Sequence, residues 1–222
     1  KRPAHHGAGR IAYSPGSLNQ AQYPSRMTTS AGPEPQSCSH PLRSLLIAQF
    51  CGAFNDNAWK LMVALLAIRQ ATVGLAPGPK LETVAQTQTA MAFVIFTLPL
   101  MLLSLVGGTL ADRVSKRTVI ISIKVVEVFL MAAGTAALWL NPAGGILPLI
   151  VLCGMGVHSA LFSPSKYGIL PELIPHERLA AGNGLLEMWT FAAILTGTAA
   201  GGFLLQAAGD HIWLAPLALT GL

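Results

Sequence analysis

Past residue 41 the chain is a succession of long apolar runs joined by short polar connections. The runs cover about residues 43–68, 86–111, 118–140, 146–168 and 184–208, and a sixth begins near Ile212 and continues to Leu222. Each of the first five reaches the roughly 20 residues that an α-helix needs to cross a bilayer. Membrane strands are shorter, about 9 to 11 residues, and alternate lipid-facing with polar side chains. These runs are solidly apolar, so they predict helices, whose backbone groups are all paired within the segment. The connections carry turn chemistry: GLAPGPK at 74–80, ADRVSKR at 111–117, NPAGG at 141–145, LPELIPHER at 170–178 and AGDH at 208–211. Residues 1–41 mix Pro, Gly, Ser, His and Gln with few aliphatics, a composition that predicts a disordered tail. That tail lacks the order of charges, apolar stretch and small residues of a signal peptide. Met27 is the first methionine and a candidate start, which would leave residues 1–26 untranslated.

Composition moves the reading in the same direction. Hydrophobic residues make up 52% and charged residues 10% of the 222, against about 25% charged in an ordinary soluble domain. Mean hydropathy is +0.55 despite the polar tail. A soluble enzyme is excluded on those grounds, and the predicted class is an all-α membrane protein with a helical bundle over 42–222. The net charge of +5, from 14 Lys and Arg against 9 Asp and Glu, sorts by side of the membrane. Lys1, Arg2, Arg10, Arg26, Arg43, Arg113, Lys116, Arg117 and Arg178 fall on one side, and Arg69 and Lys80 on the other. By the positive-inside rule the N-terminus is cytoplasmic, and the basic excess needs no nucleic-acid partner. Cys38, Cys51 and Cys153 form no CxxC pair and read as free thiols. No two histidines share metal spacing on one helix face, so neither a metal nor another cofactor is expected. No catalytic residue set is recognisable either.

An ionisable side chain at the middle of a span costs about 2.5 to 3.5 kcal/mol on insertion scales, so each one asks for a reason. Asp56, Lys60, Lys124, Glu127, Lys166 and Glu187 are in that position. Asp56 and Lys60 are four apart on one helix face, within the segment FNDNAWK, where Asn55 and Asn57 add amides. Lys124 and Glu127, three apart, repeat the arrangement. Each pair reads either as an internal structural bridge or as part of a wet, substrate-contacting interior. In the fourth run Pro164 is expected to break the helix ladder just before Lys166 and Tyr167, which would hold a cation near lipid phosphates. Simple interfacial anchoring is the alternative. Gly197, Gly201 and Gly202, with Gly154 and Gly156, read as helix-packing positions.

The segment Gly108-Thr109-Leu110-Ala111-Asp112-Arg113-Val114-Ser115-Lys116-Arg117 closely resembles the signature between helices two and three of the major facilitator superfamily, with Ser115 where the family usually has Gly. That resemblance implies gating roles for Asp112, Arg113 and Arg117. FNDNAWK, together with FSPSKYGILPELIPHERLAAGNGLLEM and the following WTFAAILTGTAAGG, is similar to the lysophospholipid transporter family, including forms fused to an acyltransferase and an acyl-carrier ligase. The resemblance runs from about Leu42 to Leu222. It implies the N-terminal six-helix half of a twelve-helix transporter, with the sixth helix truncated and a C-terminal half as partner. It further implies a substrate such as lysophosphatidylethanolamine, moved by alternating access across the bacterial inner membrane, with membrane lipids and a fused or separate acyltransferase or ligase as further partners. Head-group contact then falls to Asp56, Asn57, Lys60, Lys166 and Glu187. A general exporter of amphipathic drugs, the membrane part of a fused acyltransferase enzyme, and a membrane anchor without transport activity remain as alternatives.

Overall fold

In the computed structural model, residues 39–113 and 115–220 are described, with side chains over 42–109, at 115 and over 117–220. Six α-helices account for most of them: α1 (Ser39–Ala71), α2 (Pro79–Arg113), α3 (Lys116–Leu140), α4 (Ile146–Leu173), α5 (Leu179–Ala207) and α6 (Leu214–Leu219), with one 3-10 turn at His176–Arg178. No strand occurs among the described residues.

Several helices outrun their apolar runs, for local reasons. Helix α1 begins at Ser39 with Pro41 in its first turn, where a missing N–H costs nothing because that group has no intrahelical partner anyway. Helix α2 begins at Pro79, seven residues before its apolar run. Pro is well suited to a first helical position, and the hydroxyls of Thr83 and Thr87 bond back to the carbonyls of Pro79 and Thr83. Helix α4 passes through Pro164 and Pro171 and ends at Leu173. The expected break before Lys166 is therefore absent, and Lys166 and Tyr167 sit in continuous helix. Ser115 is the N-cap of α3, its hydroxyl accepting from the Thr118 N–H at 3.3 Å. A serine where the family pattern has glycine thus supplies a cap that glycine lacks. The turn into α4 passes through Gly144 and Gly145 at φ of 101° and 91°, backbone that side-chain-bearing residues rarely adopt.

Four helical stretches are long and apolar enough to cross a membrane: Pro79–Thr109, Arg117–Leu140, Ile146–Leu173 and His176–Ala207. The apolar runs lead one to expect five full spans and a truncated sixth. Helix α6 is only six residues long over the described chain, and α1, although 33 residues long, is diluted by Gln49, Asn55, Asp56, Asn57 and Lys60. The packing accounts for how α1 carries them. It lies against α5, α2 and α4, and Gln49, Asn55 and Asp56 are buried.

Helices approach most closely where a glycine faces a backbone. A Cβ on Gly197 or Gly201 of α5 would fall within 3 Å of the Phe54 or Ala58 backbone of α1, and one on Gly156 of α4 would overlap the Phe96 carbonyl of α2. Around these contacts Trp59, Met62, Met131, Leu138, Leu152 and Met155 form the fully buried core. The outer faces of α2, α3 and α5 present large apolar side chains such as Leu105, Phe129 and Leu195, as a surface facing hydrocarbon requires.

Candidate functional site

Helix α1 supplies the polar centre, because its residues 55 to 60 meet α2, α3 and α4 at successive positions around its circumference. Asp56 turns toward α4, where Ser159 donates a hydrogen bond to its Oδ2. Its other oxygen is buried without a protein partner. Asn57 folds back onto its own helix, its amide donating to the Ala53 carbonyl at 2.7 Å. The Lys60 ammonium donates to Asn57 Oδ1 at 3.2 Å and lies 4.2 Å from the centre of the Phe96 ring, with Phe93 also within reach at 5.2 Å. Asp56 and Lys60 therefore do not pair with each other. The four-residue spacing brings them to one side, but α4 claims the carboxylate and α2 the ammonium.

One residue earlier, Asn55 faces α3. Its amide donates to Glu127 Oε1 at 3.1 Å, and the other carboxylate oxygen receives the Lys124 ammonium at 2.6 Å. The side chain of Glu127 is 6% exposed and that of Lys124 28%. From α4, His158 Nε2 stands 3.9 Å from the same carboxylate and 2.9 Å from the Ile123 carbonyl. Lys124 also lies 5.7 Å from the centre of the Phe162 ring. Three helices thus converge on one carboxylate, and Gly52 gives the room, since a Cβ there would come within 3.0 Å of the Lys124 nitrogen.

A third group lies toward the end of α4. Lys166 is buried, with its ammonium 4.7 Å from the centre of the Tyr167 ring. The Tyr167 hydroxyl donates to Glu187 of α5. Next to them Ser165 is fully buried with its hydroxyl unpartnered. Higher on the α1–α5 contact, Gln49 donates to the Thr190 hydroxyl at 2.8 Å.

Two of the cavities beside α1 adjoin its polar residues or its N-terminal part. One of about 400 Å³ is lined by Cys51, Asn55, Lys124, Glu127 and Met131 among others, and one of about 550 Å³ by Arg117, Ile120, Ile169 and Leu173. Ser44 and Ala48 line both. Of the sequence-derived gating residues, Arg117 is exposed at that second cavity, whereas the side chains of Asp112 and Arg113 lie outside the described residues. Three groups escaped the sequence reading: His158, Ser159 and the Gln49–Thr190 link. A histidine inside an apolar run is as anomalous as a lysine there, and that is the signal in the sequence that points to His158. The partnership of Ser159 with Asp56 depends on how α1 and α4 are set against each other, which no local spacing encodes.

Long apolar helices around a buried set of ionisable groups make this a multi-pass membrane protein with a polar interior. Residues 45–222 match the model of the Major Facilitator Superfamily, and the chain belongs to that superfamily. It is 35% identical over 183 residues to the lysophospholipid transporter LplT of Salmonella arizonae, covering 82% of this chain and 40% of that protein. It is 35% identical over 163 residues to LplT of Photorhabdus laumondii subsp. laumondii, covering 73% and 36%, and 37% identical over 166 residues to LplT of Salmonella typhimurium, covering 75% and 36%. The match therefore spans well under half the length of these curated relatives. No solved structure matches the chain.

Proposed function

We propose that this protein transports lysophospholipid, as the name of its relatives says of them, and that it does so across a bacterial inner membrane by rocking of helix bundles around a central polar site. The observation that weighs most is Asp56, a buried carboxylate in the middle of α1 with one oxygen held by Ser159 and one free of any protein partner. A carboxylate so placed suits the ammonium of an ethanolamine head group. Lys166, near Tyr167 and Glu187, offers the complementary cation for the phosphate. Asn57 and Lys60 belong to the same head-group set, with Lys60 resting on Phe96 until an anion displaces it. The apolar outer faces would accommodate a single acyl chain. In this reading Asp112, Arg113 and Arg117 form the cytoplasmic gate, the N-terminus is cytoplasmic, and an acyltransferase or ligase, fused or separate, consumes the delivered substrate.

The test is uptake of labelled lysophosphatidylethanolamine by spheroplasts expressing the protein, at matched membrane abundance. Asp56→Asn and Lys166→Ala should each lower uptake at least about tenfold, the loss expected for one charge-assisted contact of roughly 1.5 to 3 kcal/mol. Uptake that neither substitution alters would remove these residues from the site. No uptake by the native protein would favour a general exporter of amphipathic compounds.

A further inference from the structure

Inside the bundle, the one imidazole buried among the described residues is oriented by its neighbours. His158 Nε2 lies 2.9 Å from the Ile123 carbonyl, and a carbonyl can only accept, so Nε2 carries the hydrogen. The proton-accepting lone pair of neutral His158 is therefore on Nδ1, which is buried with no protein partner. His158 as a whole is 6% exposed. A carboxylate stands beside the ring, Glu127 at 3.9 Å from Nε2, close enough to act on the charge of the whole imidazole, and Glu127 lines a cavity of about 400 Å³ together with the partly exposed Lys124. A base with an open lone pair, a resident counter-ion and a cavity on the counter-ion's side make up a complete site for one proton.

We propose that His158 Nδ1, with Glu127 as counter-ion, binds the proton that drives the helix movements of this transporter. The site itself stands on the geometry, and its link to movement rests on the transport reading above. The step is a simple addition: a proton from water forms an N–H bond at the Nδ1 lone pair, the ring becomes a cation, and reversal returns the proton to water. Its structural effect follows from the neighbours. Neutral His158 leaves Glu127 to Lys124 and Asn55. The imidazolium competes with both for the carboxylate, weakening the Asn55 link between α1 and α3 and strengthening the one between α3 and α4. The charged and titratable groups facing this place are Glu127 and Lys124 from α3, and Asp56 and Cys51 from α1, while the one charge of α5, Glu187, is held by Tyr167. Helix α2 bears charges only near its ends, at Lys80, Glu82, Asp112 and Arg113, and the described part of α6 bears none.

The test follows the ring nitrogens of the intact protein in lipid nanodiscs by ¹⁵N-histidine NMR from about pH 5 to 8, the range in which histidine titrates. His158→Gln identifies the signal by its loss and keeps an N–H for the Ile123 carbonyl. If that variant does not fold, the signal that moves in Glu127→Gln identifies it instead. The expected result is an Nε2–H tautomer at high pH that gains a proton on Nδ1 as pH falls, and about tenfold weaker proton binding in Glu127→Gln. A ring that stays neutral throughout, a hydrogen on Nδ1 with Nε2 bare, or a titration indifferent to Glu127→Gln overturns the site. Lysophospholipid uptake measured over the same range separates the two readings. A titration with no uptake leaves the proton site standing and removes the substrate. Uptake whose rate keeps its pH dependence in His158→Gln removes the proton's role in movement.

Discussion

Buried charges are costly singly and tolerable together, and the Lys124–Glu127 bridge shows how that balance is met here. Removing one member of a buried pair leaves the other uncompensated, at about 3 to 5 kcal/mol, whereas replacing both by apolar residues of similar volume is often close to neutral. Glu127→Leu should therefore lower the thermal unfolding temperature of the purified protein markedly, and Lys124→Leu combined with Glu127→Leu should recover most of the loss. Equal destabilisation in the single and double variants would show that Asn55 and His158, not Lys124, hold the carboxylate. This bridge is legible in the sequence because its members are three apart on one helix. Asp56 with Lys60 looks equally legible and is not, since each finds a better partner on another helix: Ser159 for the carboxylate, Asn57 and Phe96 for the ammonium. Local spacing proposes partners, and the register between helices decides among them.

Helices α1 and α5 meet through small residues, because between helices in lipid it is close packing, not exclusion of water, that drives association. Gly197 and Gly201 lie directly against the backbone of Phe54 and Ala58, so even one methyl group must push the helices apart. Gly201→Ala should cost about 1 to 3 kcal/mol, read as a fall in melting temperature, while Gly202→Ala, whose added carbon would stand 3.4 Å from Leu61, should cost much less. Similar losses at both positions would count against the close approach. Apolar runs were sufficient to locate α1 to α5, because hydrocarbon demands both length and low polarity. They did not give the ends. Residues 79–85 and 169–173 are helical yet lie outside the apolar windows, since hydropathy registers contact with lipid and says nothing of helix that continues past it.

For the assembled bundle, the distribution of basic residues makes a statement about orientation that can be checked directly. With Cys38, Cys51 and Cys153 replaced by Ser, Ser115→Cys should resist an impermeant maleimide in intact spheroplasts and react after permeabilisation, whereas Ala76→Cys should react in both. The reverse pattern would invert the topology assigned by the positive-inside rule. Asp112 lies in the last turn of α2, so its position depends on the mechanics of that helix. At 35 residues this helix is about 52 Å long at 1.5 Å per residue, against roughly 30 Å of hydrocarbon. Its tip stands about 26 Å from its midpoint, so a tilt of only about 10° sweeps the tip through roughly 4.5 Å. A lean of α2 about its close contact with Gly156 of α4 would thus become, at the end of the helix, a displacement comparable with the length of a salt bridge.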